Sequence, residues 1–198
     1  MGRPRLSHET KTRLLDEGVA SLIGQGYHGT GIKEVLDQVK VPKGSFYNYF
    51  ESKEHFGAEV IRHYAGQFLD QLDAQLAKPK ADALSALKKC FKQMIRNFDE
   101  SDQACGCLMG NLGAELGASS ELCREAMAEA MDGIQGRFAK VIKRAQEQGT
   151  VRTDISADDL AEFLLNSWEG ALIRMKIENS VQPLRKFCTL VLDNFLQA

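Results

Sequence analysis

The chain has 198 residues, of which 43% are apolar and 26% charged, and its formal net charge at neutral pH is −2. That balance is enough for one sizeable core or two small domains sharing a helix; it excludes a disordered chain, and it excludes binding to a polyanion through bulk charge alone. No apolar run approaches the roughly 20 residues of a bilayer span. Ser7-His8-Glu9-Thr10-Lys11 stands where a signal peptide would carry its apolar stretch, so a cytoplasmic protein is expected.

Residues 1–6, MGRPRL, form a short basic arm in which Arg3 and Arg5 flank Pro4. Such an arm can enter a DNA minor groove, and it can equally be a frayed terminus. Leu15, Val19, Leu22 and Ile23 share one face of a first helix, predicted from Ser7 to Gln25 and stopped by Gly24 and Gly26. Ile32, Val35, Leu36 and Val39 recur at helical spacing and predict a short second helix starting near Thr30 or Gly31.

Pro42 favours the start of a third helix, running to about Asn48, because a helix start has backbone donors to spare. Its outward face carries Lys43, Ser45, Tyr47 and Asn48, while Phe46 and Phe50, four apart, anchor its inner face. Ser52 caps a fourth helix, and Lys53 beside that start is suited to clamp a phosphate. From Gln38 to Phe50 there is no carboxylate. Residues 1–55 hold eight Lys or Arg against seven Asp or Glu, so any affinity for DNA rests on local placement. Two short helices joined through Lys40-Val41-Pro42 predict a helix-turn-helix whose second helix reads DNA.

The segment from Thr30 to Phe56, with VPKGSFYNYFESKEHF at its heart, resembles the DNA-binding domain of TetR-family repressors. The resemblance implies a homodimer presenting two recognition helices to a palindromic operator. In that reading Tyr47 and Asn48 face base edges, and Thr30, Lys43, the Gly44 N–H, Tyr49 and Lys53 hold phosphates, with Ser45 on the same face.

The fourth helix, predicted from Ser52 to Ala77, is too long for the small domain alone and should bridge to the rest of the chain. Lys78-Pro79-Lys80 breaks the pattern, and a fifth helix follows from Ala81 to Phe98. Gly110, Gly113 and Gly117 then give one bare helical face on which another helix or a ligand could approach. Further helices are predicted from Ser120 to Gln148, from the capping pattern Ser156-Ala157-Asp158-Asp159 through Met175, and from Pro183 through Phe195. With no strand signal, the expected fold is all-α with about nine helices. An N-terminal helix-turn-helix domain (1–51) would precede a ligand-sensing and dimerisation domain (52–198). The broad apolar faces of the last two helices either finish a monomeric core or, as the resemblance implies, pair with a second subunit.

Five cysteines, an odd count with no export signal, point to free thiols. CGCLMGNLGAELGA and SWEGALIRMKIE resemble the regulatory domains of two repressor subgroups, those for acrylate utilisation and for N-ethylmaleimide reductase. By that resemblance Cys107 and Lys176 are effector-sensing residues, and the effector is an unsaturated carboxylate or an electrophile. From the residues alone, Cys107 is either a thiolate favoured at a helix start or a small buried hydrophobe. Trp168, Arg174 and Lys176 are candidates for an effector pocket, an aromatic wall with cations for a small carboxylate, although a lone tryptophan such as Trp168 is more often a core residue.

The four histidines, His8, His28, His55 and His63, all fall before or within the fourth helix, so no Cys–His pair is expected near Cys107. No phosphate-cradling loop, dinucleotide fingerprint or zinc spacing beyond Cys105/Cys107 occurs, and neither catalysis, a cofactor nor a metal site is expected. The rival to an operator-binding repressor is a helical interaction module without DNA binding; Lys43, Tyr47, Tyr49 and Lys53 argue against it.

Overall fold

In the computed structural model, residues 7–76, 82–100 and 106–198 are described. Among them the chain forms α1 (His8–Gly29), α2 (Ile32–Val39), α3 (Lys43–Tyr49), α4 (Lys53–Leu76), α5 (Ala83–Glu100), α6 (Leu108–Leu116), α7 (Glu121–Glu147), α8 (Ala157–Glu178) and α9 (Gln182–Phe187). The last helix continues over Cys188–Phe195 with the wider π turn. No strand forms among the described residues beyond a single antiparallel bridge between Val151 and Gln197. The expected all-α fold is therefore present. It packs as two compact units, Met1–Gln67 with Leu108–Ala130, and Phe68–Cys107 with Met131–Ala198.

In the first unit the aromatic inner face of α3 builds the core. Phe46 lies 5.2 Å from Phe50 and 5.4 Å from Phe56, and Phe50 lies 4.9 Å from Phe56, ring centroid to ring centroid. All three are buried, and they bind the short α3 to the start of α4, which α3's own few hydrogen bonds could not do. Gly18 lets α1 close on α4: a Cβ there would sit 2.5 Å from Val60 Cγ2 and 2.6 Å from Phe56 Cζ.

The first helix does not stop at Gly24 or Gly26. It kinks at Gly26, whose φ of 72° and ψ of 177° suit glycine alone, and resumes to Gly29. Two backbone donors freed by the kink, Tyr27 N–H and His28 N–H, reach the Glu115 carboxylate of α6 at 3.0 and 3.2 Å. The tertiary partner is what keeps this segment helical.

Between α2 and α3, Lys40 takes the left-handed conformation (φ 56°), and the Val41 N–H donates to the Leu36 carbonyl at 3.0 Å, closing α2 with the usual αL cap. Arg13 adds a guanidinium donor to the Val39 carbonyl at 2.6 Å.

The second unit is centred on four aromatics. Phe91 lies 5.4 Å from Phe138, 4.9 Å from Trp168 and 5.3 Å from Phe187, and Trp168 lies 5.2 Å from Phe187. The expected cap of α8 is formed: Ser156 Oγ accepts from the Asp159 N–H at 3.1 Å and donates to its carboxylate at 2.6 Å. At the end of α4, Arg144 donates to the Leu76 carbonyl at 3.1 Å, satisfying a terminal acceptor. In the first unit, the glycine face of α6 is partly open among the described residues. Gly110 is exposed and Gly113 faces open space, while a Cβ at Gly117 would meet the Gly113 carbonyl oxygen at 2.6 Å.

Candidate functional site

Two groups of residues carry chemistry, one in each unit. In the first unit, α3 buries Phe46 and turns its other side outward. Lys43, Gly44 and Asn48 are exposed, Tyr47 is 59% exposed although aromatic, and Ser45 and Tyr49 are half-buried. An exposed tyrosine beside an exposed asparagine on a short, firmly anchored helix suits edge contacts with bases. Gly44 has nothing within 4 Å of a notional Cβ, so another molecule's backbone can approach the helix there.

The flanking phosphate candidates are held by the fold. The Lys53 ammonium lies 4.6 Å from the centroid of the Tyr27 ring, a cation–π contact that fixes its position without neutralising it. Tyr49 Oη accepts the Ser7 N–H at 3.2 Å, joining α3 to the base of the N-terminal arm. Thr30 sits elsewhere: it is 2% exposed and its hydroxyl donates to the Gly26 carbonyl at 2.7 Å, so in the free chain it serves the kink rather than the surface. Arg3 and Arg5 lie outside the described residues.

In the second unit, Cys107 immediately precedes α6 and is half-buried. Cys90, Cys123 and Cys188 are buried, which makes Cys107 the accessible thiol among the described residues. Burial pushes Cys90 and Cys188 up to about 11 and raises Cys123, so these thiols stay protonated. Cys105 lies outside the described residues.

One residue that Cys107 acts on, Glu169 of α8, is not among the sensing residues expected from the sequence. Burial raises the Glu169 carboxyl above its ordinary range, and the thiol's hydrogen bond opposes that rise in part. Glu169 follows Trp168, and a carboxylate one residue from the only tryptophan of a mostly apolar helix was the signal available.

The other expected sensing residues are spread apart. Trp168 is in the aromatic core. Arg174 is exposed and ion-paired with Glu178 one turn along α8, and Lys176 is exposed on the same helix. The structure thus brings Cys107 to α8 through Glu169 and leaves Arg174 on the outer surface.

With this geometry in hand, similarity to known proteins is specific. Residues 14–60 match the family described as bacterial regulatory proteins, tetR family, and residues 83–191 match the tetracyclin repressor-like C-terminal domain. The chain is 34% identical to the HTH-type transcriptional repressor DhaR of Mycobacterium sp. (strain GP1), covering 94% of this chain and 92% of that one. It is also 34% identical to the transcriptional regulator AcuR of Cereibacter sphaeroides, covering 94% and 86%. The crystal structure of E. coli NemR in its reduced form superposes with a TM-score of 0.89 at 28% identity, over 96% of this chain and 98% of that one. The aromatic-anchored helix-turn-helix and the all-helical second unit are thus those of a known regulator family, and the chain belongs to the TetR family of DNA-binding transcriptional regulators.

Proposed function

We propose that the protein is an effector-responsive repressor that binds a palindromic operator as a homodimer and releases it when Cys107 meets an activated alkene or related electrophile. The observation that carries the DNA-binding half is the outward face of α3, where Tyr47 and Asn48 stand clear of a helix held by Phe46 and Phe50. Tyr47 and Asn48 contact base edges. Lys43, the Gly44 N–H, Tyr49 and Lys53 contact phosphates, and Arg3 and Arg5 follow the backbone into the minor groove. Residues 1–51 form the functional DNA-binding domain and residues 52–198 the sensing and dimerisation domain.

Dimerisation is supported by α8. Phe163, Ile173 and Ile177 are 44%, 56% and 78% exposed, and their spacing of ten and fourteen residues keeps them on one face together with Gly170. An apolar stripe of that length left in water marks a contact surface, and a second copy of the same stripe gives a twofold pairing. The names of the relatives support regulation rather than catalysis, and the protein is expected to act in the cytoplasm on DNA with no cofactor.

The test is operator binding by fluorescence anisotropy with DNA from upstream of the protein's own gene. Asn48→Ala should cost about 1–3 kcal/mol and relax sequence preference. Lys43→Ala should weaken binding to all sequences alike and flatten the salt dependence. Unchanged binding by both variants would remove α3 from the interface.

A further inference from the structure

A phosphate contact made by a lysine is weakened by the rotamer freedom that its four-carbon stem gives up on binding. In the first unit that freedom is already restricted. Lys53, half-buried at the start of α4, sets its ammonium 4.6 Å from the centroid of the Tyr27 ring. The ring is itself held on two sides. Its edge lies close against Gly57, where a Cβ would come 3.0 Å from Tyr27 Cε2, so the missing side chain at Gly57 is what lets the ring lie on α4. Behind the ring, the Tyr27 and His28 N–H groups donate to the Glu115 carboxylate of α6 at 3.0 and 3.2 Å.

The corner that follows α6 grips the next residue of α4. Ser120, 5% exposed, donates its hydroxyl to the Glu54 carboxylate at 2.6 Å and accepts the Cys123 N–H at 3.2 Å. Glu54, the carboxylate beside Lys53 in sequence, is thereby engaged by the α6–α7 corner. The lysine is left to the aromatic face. A carboxylate in place of that ring would also fix Lys53 but would neutralise it, whereas a ring restrains the ammonium and leaves its charge and N–H donors for a phosphate.

We propose that Tyr27 is a positioning residue for DNA binding: its ring holds the Lys53 ammonium ready for a phosphate, and Glu115 holds the ring, so that the clamp depends on α6 staying docked at the kink of α1. This rests on the reading of Lys53 as a phosphate contact and deepens it. Because phosphates carry no sequence information, the device sets affinity for every DNA alike and leaves base preference to Tyr47 and Asn48.

The experiment is a double-mutant cycle on DNA binding by the full-length protein, read by fluorescence anisotropy at low salt on the upstream DNA and on a random-sequence duplex. Tyr27→Leu removes the ring and Tyr27→Phe keeps it. Each is made in wild type and in Lys53→Met, and thermal melting reports whether every variant is folded at the assay temperature. Lys53→Met should weaken binding to both DNAs by about tenfold or more and flatten the salt dependence. Tyr27→Leu should weaken both by about tenfold, since a homodimer loses the restraint twice. Tyr27→Phe should stay within about twofold of wild type, because the ring remains. In the Lys53→Met background Tyr27→Leu should add no further loss, there being no ammonium left to place. Glu115→Ala should weaken wild type by about threefold or more and add nothing to Tyr27→Leu.

Wild-type binding by Tyr27→Leu, or an equal loss with and without Lys53, overturns the positioning role while Lys53 stands as a phosphate contact; so does an equal loss from Tyr27→Leu and Tyr27→Phe. An equal loss from Glu115→Ala in wild type and in Tyr27→Leu overturns the dependence on α6. If Lys53→Met binds both DNAs as wild type does, the phosphate reading fails and the proposal fails with it.

Discussion

Glu115 and Tyr27 are joined by a hydrogen bond of 3.0 Å from the Tyr27 backbone N–H to the Glu115 carboxylate, which also takes the His28 N–H at 3.2 Å. The acidic side chain belongs to α6, the helix that begins one residue after Cys107, and its partners lie just before the helix-turn-helix. A charged acceptor at the start of a resumed helix is favoured by the helix dipole as well as by the bonds themselves.

Removing this clasp should be costly. Glu115→Ala is expected to destabilise the protein by about 1.5–3 kcal/mol in urea denaturation. Gly26→Ala should cost more, because the site has a φ of 72° and a Cβ would lie 2.4 Å from the Glu115 carboxylate. In the double variant the steric part disappears, so the two costs should fall short of additivity by roughly 1 kcal/mol. Strict additivity would mean that the clasp and the kink are independent.

Lys40 offers the opposite change. It holds a left-handed conformation that costs a residue with a Cβ roughly 1 kcal/mol. Lys40→Gly should therefore raise stability by about 0.5–1 kcal/mol in the same assay, with the α2–α3 turn unchanged. A loss of stability would show that the lysine side chain makes a compensating contact.

The acid limit of the first unit should involve Glu59. Its carboxyl is held below its ordinary value of 4.5, first by the hydrogen bond from Lys11, which lies at 2.7 Å. A folded value below the unfolded one means stability that is present above 4.5 and lost as pH falls through the folded value. Lys11→Met should weaken the protein at pH 7 and flatten this part of the acid profile. An identical profile for wild type and variant between pH 5 and pH 2 would dismiss the pair as a contributor, on the order-of-magnitude scale set by exposed ion pairs.

Thiol reactivity should divide sharply. Cys90 and Cys188, held at about 11, expose few thiolates at pH 7, and Cys123 is likewise raised and buried. Brief treatment with a limiting thiol reagent should label Cys107 ahead of Cys90 and Cys188 by roughly a hundredfold or more, as read by peptide mapping. Equal labelling of the buried thiols under native conditions would mean that the second unit opens on that timescale.

Much of this was legible in the sequence because it depends on local spacing. The inward pair Phe46 and Phe50, the cap at Ser156 and the order of the helices follow from periodicity and capping chemistry alone. What was not legible depends on partners distant in the chain. Gly26 reads as a stop until Glu115, eighty-nine residues later, supplies the acceptor that lets α1 resume. Thr30 reads as a phosphate contact until the same kink draws its hydroxyl inward. Glu169 is hidden for the same reason: its meaning comes from the thiol it faces, and the spacing of α8 does not carry that information.

The most direct test of the account is operator release followed by anisotropy, with N-ethylmaleimide added to wild type and to Cys107→Ser on the same upstream DNA. The account predicts that the reagent releases wild type and leaves Cys107→Ser bound with its affinity unchanged. Release of both proteins alike would contradict it.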